Sequence, residues 1–342
     1  MKHIELHILQ SVPVSCLNRD DLNSPKTAIF GGVQRARVSS QCWKRAIREM
    51  AKEESPDFFN GMRTRNIIEP LTKILKTSGL SEAETKEGVE KIVDAFKNKI
   101  DTEKRVKTLV FTTTKELELI ANEYAKTKDA KKAVKAGGKN FMRDAADIAL
   151  FGRMVADDQE MKVEGVSLFS HAISTHKVDN EIDYFTAVDD FPSEGDSGAA
   201  MASTLEFNSA TYYRFAALNL DMFKDQDHLG SMSVDERRDV VKAFIKSTLM
   251  GMPGARKGSM NGNTLPGYVL CVIREKGHPI QLVNAFEKPV FEKNGVFEKS
   301  VERLKDEYKK QNETWDLVEK ACIAMPEKSL NELLTEAVKY VD

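Results

Sequence analysis

The sequence predicts an α+β fold in which a strand-containing core is interrupted by a long helical insertion. A period-two strand pattern stands near the N-terminus, and Lys-, Glu- and Ala-rich sequence with helical spacing fills about residues 51–168. Strand patterns separated by one helix return after this stretch. The length of 342 residues exceeds one typical core, which agrees with a core that carries a large insertion.

The first strand is predicted at IELHILQ, where Ile4, Leu6 and Ile8 alternate with polar residues. Such alternation indicates a half-buried strand with one apolar and one polar face. Pro13 and the polar run NRDDLN cannot continue the strand, so a loop is expected after it.

A helix is predicted to begin after Ser39 and Ser40, since either hydroxyl can cap it, with Trp43 on its inward face. Lys44 and Arg48 lie four residues apart on the opposite face. This spacing predicts two cations side by side in solvent, which suits an anion held between them. Hydroxyl and backbone N–H groups at the helix start would add neutral donors to the same anion.

The later elements follow in the order strand, helix, strand. STLEFNSATYYRFAALNL and PGYVLCVIR have strand character, SVDERRDVVKAFIKSTLMG between them is helical, and the last forty-odd residues are helical again. A core that is interrupted after its first strand and helix, and then resumes in this order, has the arrangement of a modified ferredoxin-like or RNA-recognition-motif fold.

Composition and motifs argue against several protein classes. No apolar run approaches the roughly 20 residues that span a bilayer, and the start lacks the apolar stretch of a signal peptide, so we expect a soluble, cytoplasmic protein. The four cysteines stand singly, which argues against a disulfide framework and a zinc ribbon.

His171 and His176 are five residues apart, not the four that suit a helical metal site, and both are predicted to be structural. No phosphate-loop, nucleophile-elbow or dinucleotide motif occurs, and we expect neither a cofactor nor a bound metal.

Positive charge is concentrated in two segments of a chain whose formal net charge is −2. Residues 16–48 sum to +5 and residues 126–143 to +6, which leaves −13 for the remainder. Each segment alone could be a solvated basic surface. Two such segments on an otherwise acidic chain favour a surface that binds a polyanion.

The acidic pair Asp20 and Asp21 is the sole plausible catalytic feature of the first basic segment. A carboxylate beside phosphate-binding cations could hold Mg²⁺ or act as a base in phosphodiester cleavage. It could instead orient Arg19 or cap a turn, and this second interpretation is the one we favour.

Small, turn-forming and acidic residues, DDFPSEGDSGAAMAST, separate two strand-like stretches. This composition is typical of a flexible surface loop. Phe191 and Met201 are its only large apolar side chains, and with them the loop could instead be an arm that lies across a neighbouring molecule.

Four separate stretches, SCLNRDDLNSPKTAIFGGVQRARVSSQCWKRAIR, DIALFGRMVADD, HAISTHKVDNEIDYFTAVDD and NAFEKPV, occur in the right order to resemble one known family. The chain resembles the backbone subunit of the type I-E CRISPR surveillance complex Cascade, in the CasC branch of the Cas-seven family. The resemblance implies a palm of RNA-recognition type with a C-terminal helical part (1–50 and 169–342), helical fingers (51–168) and a β-hairpin thumb (190–204).

The resemblance also implies a function without catalysis. Copies of the subunit would polymerise along a CRISPR RNA beside other Cascade subunits. They would hold its phosphates without regard to sequence and present segments of the guide for pairing with target DNA in antiviral defence.

By the same resemblance, two sets of residues would contact nucleic acid. The guide RNA would be contacted by Arg19, Lys26, Ser39, Ser40, Gln41, Lys44, Arg45, Arg48, Met154 and Met201. DNA would be contacted by Lys131, Lys132, Lys135 and Lys139. Arg35 and Arg37 would either join the RNA contacts or pair within the palm. Met154 would be an apolar wedge beside a displaced base, whereas without the resemblance core packing is an equal alternative.

Two other functions remain open. Backbone subunits of type III effectors share the palm and cut target RNA with an Asp in the loop after the first strand, the neighbourhood of Asp20 and Asp21. The CLNRDD form matches the noncatalytic type I-E version, which makes a metal-dependent nuclease the weaker alternative. The second alternative is an RNA-binding protein unrelated to CRISPR, which would need no repeated self-association.

Overall fold

The computed structural model describes residues 1–140, 144–154, 162–188, 190, 199–254 and 256–342, and of residues 138–140, 188 and 199–202 it describes the backbone alone. Among these residues no helix is both long and apolar enough to cross a membrane. The predicted α+β class is confirmed, because antiparallel strands and helices share one fold.

The strands and helices occur in this order along the described chain. The strands are β1 His3–Ser15, β2 Thr27–Phe30, β3 Val33–Val38, β4 Met62–Thr64, β5 Val110–Thr112, β6 Ser167–Phe169, β7 Ala172–Ser174, β8 Glu181–Val188, β9 Ala199–Asn219, β10 Tyr268–Arg274 and β11 Ala321–Met325. The helices are α1 Ser40–Glu54, α2 Ile68–Thr77, α3 Glu82–Ala95, α4 Thr114–Thr127, α5 Ala130–Asn140, α6 Ala146–Phe151, α7 Leu220–Phe223, α8 Val234–Met250, α9 Phe297–Thr314 and α10 Leu330–Ala337.

The main sheet has the strand order β11–β10–β1–β9–β7–β3–β2, with β6 and β8 also paired to β9. β1 lies between β10 and β9, so that Leu6 is opposite both Cys271 and Ala216. Helices α1 and α8 pack together on the Ile4 side of β1, where Trp43 and Phe244 belong to the same hydrophobic core. The elements β1, α1, β9, α8 and β10 therefore follow the predicted order. Their three strands form the centre of the sheet, and their two helices cover one face of it.

The prediction that β1 is half-buried was wrong for its polar face. His3, Glu5 and His7 are at most 1% exposed, because α9 and the turn Val283–Phe286 cover this side of the sheet. Glu5 accepts hydrogen bonds from His3 Nε2 at 3.1 Å and from Ile280 N at 2.8 Å. Burial alone would raise the pKa of Glu5, but these bonds and His7 lower it to about 2. These donors therefore keep the buried carboxylate of Glu5 ionised.

A second hydrophobic core lies in the helical stretch between residues 67 and 134. Leu71 of α2, Ile92 of α3 and Ile120 of α4 contribute to it. The two-stranded ribbon of β4 and β5 has one strand before α2 and the other between α3 and α4. α6 instead packs into the core of the main sheet. α6 and its neighbours therefore link the two cores. The predicted division of the chain at residues 50 and 168 stays a prediction.

β8 and the first part of β9 form a hairpin, with Glu181 opposite Phe207 and Phe185 opposite Ser203. β8 pairs only with β9 in the described chain, so the hairpin extends from the sheet on one long strand. Most of the predicted loop 190–204, including Phe191 and the side chain of Met201, lies outside the described residues. Its contacts stay a prediction.

The C-terminal region differs from its prediction in one element. α9 and α10 are helical as expected, but β11 lies between them and pairs with β10, with Ile323 opposite Cys271. Five residues, ACIAM, are too few to give a clear period, and their pairing with β10 decides their conformation.

Candidate nucleic-acid interface

The start of α1 is fixed to the loop that precedes β2. Ser39 caps the helix, since its Oγ accepts a hydrogen bond from Cys42 N at 3.3 Å. Its own N–H donates to Asn18 Oδ1 at 3.0 Å. The predicted cap is therefore correct, and it also ties the helix to the loop that carries Arg19.

The inward face of α1 rests on a buried arginine. The guanidinium carbon of Arg214 lies 3.7 Å from the centre of a Trp43 ring. Arg214 also donates to Gln10 Oε1 on β1 and to Thr248 O on α8. Burial lowers its pKa to about 9, so the group is still charged at neutral pH. This contact fixes which face of α1 turns outward.

Lys44 and Arg48 occupy that outward face, but the prediction that they lie side by side in open solvent was wrong. Lys44 Nζ lies 5.5 Å from the ring centre of Phe169, and the guanidinium of Arg48 lies 5.2 Å from that of Phe111. Arg63 on β4 approaches the same Phe111 ring at 4.7 Å. Aromatic faces attract cations, and they hold these side chains partly buried.

Burial lowers the pKa of both Lys44 and Arg48, and the charge of Arg63 lowers them further. We use the name basic track for a set of five side chains. The basic track consists of Lys26, Arg37, Lys44, Arg48 and Arg63. Among the described residues, none of the five forms an ion pair with a carboxylate. Partly desolvated cations that lack an ion-pair partner repel one another, and a bound phosphate would relieve that repulsion.

Arg35 and Arg37, adjacent on one strand, have different environments. Arg35 is fully buried and donates to Ser174 O at 2.9 Å and Phe286 O at 2.8 Å, which makes it a structural residue. Arg37 points toward the surface, where its Nε donates to Thr27 O at 3.0 Å and its Nη1 lies 3.2 Å from His171 Nδ1. Of the two roles that the sequence left open, Arg35 therefore has the structural one, whereas Arg37 lies at the surface.

The loop with Arg19 and Asp20 is held by internal hydrogen bonds. Asp20 Oδ1 accepts from Leu22 N and Ser24 N, both at 2.9 Å, and Arg19 Nη1 donates to Asn23 Oδ1 at 2.7 Å. Asp20 therefore caps a turn, as the favoured interpretation predicts, while Asp21 is exposed.

Arg45 lies on α1 but has a different setting from Lys44. It is exposed and donates to Glu49 Oε1 at 2.9 Å. Arg19 and Arg45 line one open cleft of about 640 Å³ whose other charged groups are Asp20 and Glu49. Ser40 and Gln41 lie at the exposed start of the helix, where Ser40 Oγ is 3.5 Å from Gln41 Oε1. This cleft is electrostatically balanced, unlike the basic track.

Met154 is 88% exposed, so core packing is excluded for it. The preceding residue fixes its position, because Arg153 is buried and binds Glu116 Oε1 at 2.8 Å and Phe111 O at 3.2 Å. An apolar side chain thus projects into solvent from a rigid base beside Phe111, the ring that Arg48 and Arg63 share.

The lysines predicted to contact DNA are on α5. Lys131, Lys132 and Lys135 are exposed, and Lys132 Nζ lies 3.8 Å from Glu123 Oε1. The side chain of Lys139 lies outside the described residues. Their role stays a prediction.

No sequence pattern pointed to Arg63, which belongs to a three-residue strand. Its importance follows from Phe111, which β5 places under both Arg63 and Arg48 although it is distant in sequence. His171 was predicted to be structural, yet it is exposed beside Arg37. His176 fits the prediction, because its Nδ1 contacts Lys177 O at 2.9 Å and its Nε2 accepts from Thr211 N at 3.2 Å.

A buried carboxylate lies behind the basic track. Asp147 on α6 accepts from Gly61 N at 3.1 Å, and a Cβ at Gly61 would lie only 2.3 Å from Asp147 Oδ2. Burial raises the pKa of Asp147 to about 6, while the nearby charge of Arg48 opposes this rise. Asp147 is therefore a titratable neighbour of the track.

The chain is similar to known proteins in sequence and in fold. The family model described as CT1975-like protein matches residues 4–339. One chain of a solved structure described as a CRISPR RNA-guided surveillance complex, pre-nicking, is 27% identical with a TM-score of 0.84, and the match covers 99% of this chain and 100% of that one. A chain from a CRISPR RNA-guided surveillance complex is 22% identical with a TM-score of 0.64, covers 98% and 99% respectively, and is alike in fold alone. No curated protein sequence matches.

Replacing Asp147 with Asn tests the buried carboxylate, since Asn can still accept from Gly61 N–H but cannot ionise. A pKa raised to about 6 means that the protonated form stabilises the fold fully below the unfolded pKa of about 3.9, and that this contribution is lost as the pH rises through about 6. We expect Asp147→Asn to be more stable than the wild type at neutral pH, by up to about 3 kcal/mol.

Urea unfolding of both proteins at a series of pH values measures this difference, which should vanish below about pH 4. A variant that is less stable than the wild type at neutral pH would show that the ionised carboxylate stabilises the fold, contrary to this assignment.

Proposed function

This chain belongs to the CT1975-like protein family, and we propose that it is a backbone subunit of a CRISPR RNA-guided surveillance complex that binds the guide RNA by its phosphates. The observation that carries this proposal is the basic track, five cations without a carboxylate partner among the described residues. The 27% identity over nearly the whole of a chain from such a complex supports it.

The track suits a guide whose sequence varies. Lysine and arginine contacts to phosphates fix the position of a strand but carry no sequence information, so the base edges stay free to pair. Phe111 and Phe169 lie beneath the cations and keep them in place before any ligand binds. Pre-organised groups lose less entropy on binding, which favours a tight but sequence-independent grip.

The finer assignment is to the CasC branch of type I-E complexes, on the four sequence stretches that resemble it. Repeated copies would polymerise along one guide beside other Cascade subunits, and Met154 would wedge beside a displaced base. Its 88% exposure on a fixed base supports this role, because a wedge must reach its partner without unfolding. The exposed lysines of α5 would contact target DNA.

We propose that this subunit is not a nuclease. The hydrogen bonds of Asp20 to Leu22 N and Ser24 N support this, since both use the same carboxylate oxygen to hold a turn. Asp21 is exposed on the same loop and is the residue on which the nuclease alternative depends.

Neutralising the track at Lys44 or Arg48 should weaken the binding of single-stranded RNAs of unrelated sequence to the same extent. Each lost phosphate contact should also reduce the slope of log K against log salt by about 0.7. Fluorescence anisotropy with Lys44→Gln and Arg48→Gln at several salt concentrations measures both effects.

Lys52→Gln is the matched control, because Lys52 is exposed at the far end of α1 and loses the same charge. It should leave the salt slope unchanged. Equal effects of all three substitutions, or losses that depend on RNA sequence, would mean that the track is not a phosphate site.

Incubation of the wild type with Mg²⁺, a guide and its paired target should leave every strand intact, as gel electrophoresis would show. Asp21→Ala is the informative variant, since it leaves the turn held by Asp20 unchanged. Metal-dependent cutting at regular intervals that disappears in Asp21→Ala would establish the nuclease alternative instead.

A further inference from the structure

His171 is an exposed histidine inside a group of cations. It precedes β7, and its Nδ1 lies 3.2 Å from Arg37 Nη1. A guanidinium can only donate, so Nδ1 must be the acceptor and the ring proton must be on Nε2. His171 is therefore a neutral imidazole that points an N–H away from Arg37.

Two charged groups face this ring. Arg37 faces it from β3 and Lys26 from the segment before β2, and the backbone N–H of Arg37 also donates to Lys26 O at 2.9 Å. Burial, then Arg37 and then Lys26, lower the pKa of His171. Among the described residues, no carboxylate is a cause of this pKa shift.

The position of His171 connects the two halves of the basic track. Phe169, two residues before it, lies under Lys44. Val38 pairs with Ala172, so the start of α1 lies beside the same turn. The segment 169–171 therefore contacts Lys44 at one end and Arg37 at the other.

We propose that Lys26, Arg37 and His171 together bind one phosphate group of single-stranded RNA, with His171 as the pH-responsive member of the site. This inference rests on the proposed function, because it assigns the phosphate to the same RNA. A phosphate oxygen accepts from Nε2–H, and its negative charge opposes the effect of the two cations on the ring. Protonation of Nδ1 then breaks its hydrogen bond with Arg37, and Arg37 Nη1 becomes available to the phosphate.

Binding at such a site takes up a proton. Because the pKa of His171 is higher in the complex than in the free protein, affinity rises as the pH falls through the bound pKa and levels off below the free one. A rise of one pKa unit on binding corresponds to a tenfold gain in affinity. The site thus predicts a pH dependence that the lysines and arginines of the track cannot supply.

The test is the affinity of the full chain for fluorescein-labelled oligouridine between about pH 5 and pH 8, the range in which histidine titrates. Asp147 has a pKa of about 6 and lies behind Arg48, so all proteins carry Asp147→Asn to remove its contribution. The parent should bind up to about tenfold more tightly at the lower pH. Adding His171→Asn should abolish this gain.

His278→Asn is the matched control, because His278 is exposed on the loop after β10, and it should keep the full pH dependence. NMR titration gives a second measurement, in which oligouridine should raise the pKa of His171. An unchanged pH dependence in His171→Asn, or an unmoved His171 pKa, overturns this inference while RNA binding itself persists. Absence of oligouridine binding at every pH overturns the proposed function as well.

Discussion

The stacking of Arg214 on Trp43 determines how the proposed binding surface is presented. A fully buried guanidinium is costly, and this one is stabilised by an aromatic face, a glutamine oxygen of β1 and a carbonyl of α8. The contact joins sheet, α1 and α8 at one point. Because Trp43 is held inward, Lys44 and Arg48 must turn outward, toward the rings of Phe169 and Phe111.

The outward cations differ from most charged groups on this molecule. Elsewhere the lysines commonly meet carboxylates, as Lys305 meets Glu327 and Lys328 meets Glu332, both at 3.1 Å. Along the basic track the neighbours are aromatic rings, carbonyl oxygens and other cations, with the buried carboxylate of Asp147 behind Arg48. Charge that is neither neutralised nor fully hydrated favours a bound anion, and its distribution over α1, β3 and β4 favours an extended anion over a small one.

Local sequence patterns predicted the elements better than their surroundings. The spacing of Lys44 and Arg48 placed both on one helix face, but it could not reveal Phe111, which reaches that face from a distant strand. Alternation in β1 correctly assigned Ile4 and Leu6 to one side of the sheet. The polar side appeared solvent-facing because a pattern reports polarity, whereas the burial of Glu5 depends on Ile280 and α9. Arg63 and His171 carried no pattern of their own, since only tertiary contacts bring them to the track.

The central claim is that many copies of this chain hold one guide RNA by its phosphates. Cryo-electron microscopy of the protein co-expressed with a CRISPR RNA tests it most directly. The account predicts a regular helical array of subunits on the RNA, with phosphates of the guide against Lys44, Arg48 and Arg63 of each copy and the base edges exposed. Isolated particles without RNA, or an array in which the guide lies on another face of the subunit, would contradict it.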